Sequence, residues 1–217
     1  MIDIKDFFKN AEIYDISVSL STKMPVFPGQ PKFKREFISE ITKGKNSNVS
    51  KITMTSHTGT HVDSPYHFIQ DGNTIEQIKF SSIIGFTKVF EINSSKVGIE
   101  EIRNLKIDKG DIILFKTSNS KLWEMEDFSY DYVYITPEAA TYLAQREVYA
   151  VGIDYIIPEA LDDPKRPVHH ILLGQNIILI EGLNFTNVPP GEYILVCLPL
   201  KIFGNDAAPA RAILLNV

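Results

Sequence analysis

His57-Thr58-Gly59-Thr60-His61-Val62-Asp63-Ser64-Pro65-Tyr66-His67-Phe68 is the stretch on which the reading of this chain turns. Three of the five histidines fall inside it, beside an aspartate. The other two, His169 and His170, are adjacent, and Glu181 ends the apolar run that follows them. Imidazole nitrogen and carboxylate oxygen are donors that suit zinc, manganese or iron. Histidines confined to two tight clusters therefore point to a metal site.

The spacing supports one face. Positions 57, 61, 63 and 67 are all odd, and on an extended strand residues two apart point the same way. His61 and Asp63 would then lie ~6.6 Å apart at Cα, close enough to grip one ion. His57 would be ~13 Å from His61 on a straight strand, near the limit for sharing it. A bend is required, and Gly59 is placed to supply one as a kink or bulge. A helix carrying His57 and His61 four apart is disfavoured by Gly59, the two threonines and Pro65. A lone histidine beside a Gly-Thr turn is usually just a hydrogen-bonded side chain; Asp63 and His67 change that balance.

Of the adjacent pair His169 and His170, only one can face a given site. Glu181 closes the apolar run Ile177–Ile180, where a carboxylate is costly unless paired or metal-bound. Asp154 ends the run Val148–Ile153 in the same manner, at a strand end where α/β sites gather, which makes it a candidate supporting residue.

Outward from these clusters, the pattern predicts mostly strands. Residues 2–11 read as a short amphipathic helix. Strands are expected at 13–18, 32–41 and 49–56, the last running straight into His57. Further strands are expected at 87–92, 111–116, 132–135, 148–153, 177–181, 193–198 and 212–215. Helices are expected at 99–105 and 136–146, the second opened by Thr136 as N-cap and Pro137 at its first position. The Pro-rich loop Met24-Pro25-Val26-Phe27-Pro28-Gly29 is either a surface connector or a pocket wall. With no internal repeat and no linker, residues 1–217 read as a single α/β domain.

Composition narrows the function classes. The 217 residues are 44% hydrophobic and 23% charged, with a net charge of -5 and no basic stripe. A soluble protein follows, with nucleic acid unexpected as a partner. No apolar run approaches the ~20 residues of a membrane span. The first residues lack the basic and apolar regions of a secretion signal, so a cytoplasmic location is expected. Cys197, the only cysteine, sits in an apolar run and reads as a buried thiol.

The His57–Phe68 stretch resembles the His-x-Gly-Thr-His-x-Asp-x-Pro-x-His signature of the cyclase-like metal-dependent hydrolases, which include bacterial kynurenine formamidases and isatin hydrolases. Asp15-Ile16-Ser17 with Pro25–Gly29, Val151–Asp154, Val168–Leu173, Ile180–Leu183 and Leu198–Ala212 resemble the family's other elements in order. The resemblance implies a compact domain around a strongly curved, mostly antiparallel or mixed sheet of swivelling β/β/α type, with few helices. It also implies a homodimer or homotetramer.

It implies His57, His61 and Asp63 as metal ligands, with His169 and Glu181 holding a second ion that Asp63 bridges. The ion would be zinc, or alternatively manganese, with one or two per chain. His67 would be the catalytic proton carrier. Phe27, Tyr66 and Phe68 are candidates for a pocket around a planar ring, or for core. The implied reaction is attack of metal-bound hydroxide on a small aryl formamide such as N-formylkynurenine, which would place the enzyme in tryptophan catabolism. Hydrolysis of a cyclic amide or lactone is the alternative, and a non-catalytic metal or small-ligand binder the rival. Tyr155–Glu159 after Asp154 and Gly182-Leu183-Asn184 after Glu181 depart from the kynurenine formamidase pattern, which bears on the substrate.

Overall fold

The computed structural model describes residues 11–216; the helix expected over 2–11 lies almost wholly outside them. In chain order the strands and helices are β1 (Glu12–Asp15), β2 (Lys34–Ser39), β3 (Val49–Thr53), β4 (His61–Asp63), β5 (Ile84–Glu91), β6 (Lys96–Val97), α1 (Ile99–Ile102), β7 (Ile112–Lys116), β8 (Tyr134–Ile135), α2 (Pro137–Gln145), β9 (Ala150–Ile153), α3 (Pro167–Gly174), β10 (Ile178–Glu181), β11 (Gly191–Pro199) and β12 (Ala207–Asn216).

Eight strands form one mixed sheet in the order β1-β12-β11-β5-β7-β9-β10-β4, and β4 pairs again with β12. That second pairing closes the sheet into a barrel-like curl. Strands β5, β7, β9 and β10 run parallel to one another, while β4, β11 and β12 pair antiparallel. The parallel strands are covered on both faces, which explains why β7 reads Ile-Ile-Leu-Phe without polar alternation.

Side chains alternate between two cores. Ile112, Leu114, Ile178, Ile180, Val62, Leu195 and Leu214 fill the inside of the curl. Ile113, Phe115, Val151, Ile153 and Leu179 face outward and pack beneath the helices, against Val168, Leu172, Ala139 and Leu143. By this period of two, Glu181 shares the outer face with Leu179, and His61 and Asp63 flank the inward Val62. Cys197 is fully buried, and burial pushes its thiol pKa up to about 12.

Helix α2 starts as its sequence predicts, with Thr136 Oγ1 accepting the Ala139 N–H at 3.3 Å. Helix α1 stops at Ile102, shorter than the 99–105 reading. The expected strand over 49–56 ends at Thr53; a turn follows, and regular pairing resumes only at His61. Gly59 makes that turn at φ 68°, so the bend falls where spacing required it. His57 lies in that turn, His61 and Asp63 on a three-residue strand, and His67 in a 3-10 turn at Pro65–His67 rather than on the strand. Among the described residues no helix is long and apolar enough to cross a membrane.

Candidate metal centre and active site

The register of β4 against β10 builds the centre. Antiparallel pairing sets Glu181 directly opposite His61 and Leu179 opposite Asp63. Directly opposed residues on one face lie within side-chain reach, so three polar groups meet on the outer face of the sheet. His61 Nε2 lies 3.4 Å from both Asp63 Oδ1 and Glu181 Oε2. A close backbone contact locks this register. A Cβ on Gly182, which has φ +70°, would fall 2.2 Å from the Gly59 carbonyl oxygen. Thr60 Oγ1 also donates to the Gly182 carbonyl at 2.5 Å.

Helix α3 supplies the fourth group. Pro167 opens the helix, and His169, Leu172 and Leu173 form its buried side at helical spacing. His169 Nε2 comes to 3.2 Å from Glu181 Oε1 and 3.7 Å from Asp63 Oδ2. His170 is exposed, so His169 is the member of the pair that enters the cluster.

His57 and His67 complete the outer rim. His57 Nδ1 is 3.0 Å from Asp63 Oδ1, and its ring lies 4.2 Å from that of His67. His67 Nε2 stands 3.9 Å from Asp63 Oδ2. The structure therefore brings all six sequence-named residues, His57, His61, Asp63, His67, His169 and Glu181, to one place.

Two carboxylates were not legible from motif spacing. Asp206, in the loop before β12, accepts from His57 Nε2 at 2.8 Å and lies 3.5 Å from His67 Nδ1. Buried Glu159 accepts the Val168 N–H at 2.7 Å and contacts His169 Nδ1 in a short hydrogen bond. The only signal for Glu159 was a carboxylate flanked by apolar residues in a chain where most acids are exposed.

These partners fix ring orientation. His61 Nδ1 is 2.9 Å from the Gly59 carbonyl, which can only accept, so the Nε2 lone pair of the neutral ring faces the cluster. Glu159 does the same for His169. The atoms left over are diagnostic: His61 Nε2, both Asp63 oxygens and Glu181 Oε1 are buried and without a hydrogen-bond partner. Buried polar atoms need partners. Four that converge, all nitrogen or carboxylate oxygen, are the donor set of a divalent cation. Two triads, His57-Asp63-His67 and His61-Asp63-Glu181, each bring their donor atoms within 4.8 Å of one another and share Asp63.

The electrostatics agree. Burial opposes charge on His57, but the attraction of Asp63 and the close contacts with Asp206 and Asp63 outweigh it, raising its pKa to about 10. Burial likewise opposes charge on His169, yet its hydrogen bond to Glu159 and its contact with Glu181 raise it to about 9. Burial favours the neutral Asp63 carboxyl, but the adjacent His57 charge holds it below the usual carboxylate range. Hydrogen bonds from His57 and His67 depress Asp206 strongly. Protons on the histidines thus balance the buried carboxylates, a balance that a divalent cation also satisfies.

A cavity of about 230 Å³ opens over the cluster, reaching His57, His67, His169 and Glu181. Phe27, Phe68, Ile156 and Ile157 give it apolar walls, and Gln30 and Arg166 add polar groups. Phe68 also stacks on His169 with centroids 4.4 Å apart. The Pro-rich loop is therefore a pocket wall at Phe27. Tyr66 is a correction: the 3-10 turn that aims His67 inward leaves Tyr66 exposed and away from this cavity. Asp154 also differs from expectation. Among the described residues its carboxylate binds only Thr117 and Ser120, tying the end of β9 to the segment that follows β7 rather than supporting the histidines. Burial pushes its pKa up.

A model of the Cyclase family matches residues 14–160, about two thirds of the chain. The chain belongs to the cyclase-like metal-dependent hydrolases. It is 36% identical over 205 residues to a kynurenine formamidase of Salinibacter ruber, covering 93% of this chain and 96% of that one. A solved structure described as a potential metal-dependent hydrolase with cyclase activity superposes with TM-score 0.83 at 35% identity, covering 95% and 98% of the two chains. An isatin hydrolase bound to the product analogue thioisatinate superposes with TM-score 0.86 at 22% identity, covering 98% and 95%, which establishes the shared fold. This family member is accordingly a hydrolase, and its buried donor set fits a divalent metal.

Proposed function

We propose that this hydrolase cleaves the C–N bond of a small aryl formamide such as N-formylkynurenine, using one or two divalent ions, zinc in the first instance. The observation that carries the reading is the convergence of unpartnered His61, Asp63 and Glu181 atoms beneath a cavity with aromatic and aliphatic walls. The similarity to kynurenine formamidases over nearly the whole chain supports the substrate.

His61, Asp63, His169 and Glu181, with His57, would hold the metal; Asp63, common to both triads, is the group able to serve two ions. A divalent ion there would lower the pKa of water toward ~7 and polarise a carbonyl. Phe27 and Phe68 would bracket the aryl ring and exclude bulk water. His67 lines the cavity with its side chain 25% exposed, open to substrate yet held by Asp206. It would accept a proton from the attacking water and return it to the departing aniline nitrogen. Asp206, which accepts from His57 Nε2 and lies 3.5 Å from His67 Nδ1, would keep His67 oriented for both transfers.

The test compares N-formylkynurenine with isatin, the cyclic amide that the isatin hydrolase fold relatives suggest as the second reading. Faster turnover of N-formylkynurenine by the metal-loaded protein is expected. Turnover of isatin alone would transfer the reading to cyclic amides.

We further propose that the chain acts as a homodimer or homotetramer. The β2–β3 arm supports this, since a two-stranded ribbon is marginal alone and it leaves Phe37, Ile38, Val49 and Ile52 exposed. Light scattering in solution decides it; a monomer at micromolar concentration would overturn it.

A further inference from the structure

We propose that Arg166 is the carboxylate receptor of this cavity, the residue by which it selects an aryl formamide that carries a carboxylate over one that lacks it. This rests on the formamidase reading and narrows it.

Among the described residues that line the cavity, Arg166 is the only lysine or arginine. The residue is half-buried, and Nη1 donates to the Ala160 carbonyl at 3.2 Å. Among the described residues it forms no ion pair, although Asp63, Glu181, Glu159 and Asp206 all lie around the same centre and pair with histidines instead. A guanidinium carries five N–H donors in a rigid fork and cannot be neutralised. One tethered donor leaves the rest of that fork for a planar anion, the geometry in which arginine outperforms lysine.

The backbone marks the same residue. Arg166 takes φ 49° and ψ 54° at the N-terminal boundary of α3, a left-handed conformation. A residue with a Cβ adopts this conformation at a cost, and such strain persists where the surroundings enforce it. Pro167, next in sequence, begins the helix whose third residue, His169, reaches the metal centre. The strained residue thus sets one helix end so that its imidazole reaches the centre and its guanidinium the cavity.

The cavity lining is of three kinds: the carboxylate-histidine cluster, the apolar walls Phe27, Phe68, Ile156 and Ile157, and the donors Arg166 and Gln30. An aryl formamide with its formyl group at the cluster and its ring between the walls would present a distal carboxylate to Arg166. A neutral aryl formamide would leave the guanidinium unpaired.

The test measures kcat/KM for N-formylkynurenine and for N-(2-acetylphenyl)formamide, which keeps the aryl formamide and ketone but lacks the amino-acid carboxylate. Wild type and Arg166→Met are compared, each metal-loaded. The ratio of the two constants is expected to fall about tenfold to a hundredfold in Arg166→Met, the range of a lost charge-assisted hydrogen bond. Arg166→Lys should recover part of it. An unchanged ratio overturns the proposal even when both substrates slow together, because that pattern marks a structural role. Calorimetric binding of kynurenine, which carries the carboxylate but no scissile formyl group, reads recognition without turnover. A weaker Kd in Arg166→Met supports the proposal even if neither formamide is hydrolysed, and an equal Kd overturns it.

Discussion

Replacing Glu159 by glutamine tests whether the cluster is held in place for a cation. Glu159 is 2% exposed, and its two oxygens face the Val168 N–H at 2.7 Å and His169 Nδ1. A carboxylate accepts from both. A glutamine amide has one acceptor oxygen and one NH₂ group, so whichever way it turns, one donor meets another. The ring can escape only by accepting at Nδ1, which moves its proton to Nε2 and removes the lone pair that faces Glu181 and Asp63. Loss of one charge-assisted hydrogen bond costs about 1.5–3 kcal/mol. Partners that orient a metal-bound histidine typically contribute 10–100-fold in affinity, which is about 1.4–2.8 kcal/mol. The two ranges coincide. Glu159→Gln is expected to weaken divalent-cation binding about 10–100-fold, read by competition against a chromophoric chelator. An affinity within twofold of wild type, in a variant whose denaturant melt matches wild type, would refute the reasoning.

Three other outcomes follow from the geometry. His67→Ala should retain its metal stoichiometry while kcat falls about 10²–10⁴-fold, read by elemental analysis beside steady-state kinetics; retention of wild-type turnover sinks the role. Gly182→Ala should lose about 2–4 kcal/mol of stability, from overpacking against Gly59 together with left-handed strain, as read by denaturant melts. For pH, His57 and His169 in the metal-free protein have pKa values raised to about 10 and about 9. Groups raised in the folded state stabilise fully below their unfolded value near 6.5 and cease to do so as pH rises through the folded values. The melting temperature of metal-free protein should therefore fall between pH 7 and 10, whereas cation affinity should rise over that interval because the ligands bind deprotonated. Differential scanning fluorimetry on stripped and loaded protein checks both signs.

Much of the centre was legible because its chemistry is concentrated. Five of the six cluster residues are unusual where they stand: histidines packed into twelve residues, a carboxylate ending an apolar strand, and a histidine preceding two leucines. The kink at Gly59 followed from reach alone, and the α2 start from Thr136-Pro137. The rest depends on contacts distant in sequence. Asp206 meets His57 across 149 positions, and Glu159 lies in an irregular loop, so neither has a local period to betray it. The closing pair β4–β12 joins a three-residue strand to one near the end of the chain. Tyr66 could not be placed from its aromatic character, because a 3-10 turn points adjacent side chains about 120° apart and aiming His67 at the cluster turns Tyr66 to solvent. Helix α3 carries only half of a start signal, Pro167 at its first position, because Arg166 before it offers no capping side chain.

The most direct test is hydrolysis of N-formylkynurenine by purified protein, before chelation, after chelation, and with zinc or manganese restored. Kynurenine release that disappears on chelation and returns with the metal is the predicted result. Turnover that survives complete removal of metal, or a fully metallated protein that releases no kynurenine, would contradict the account.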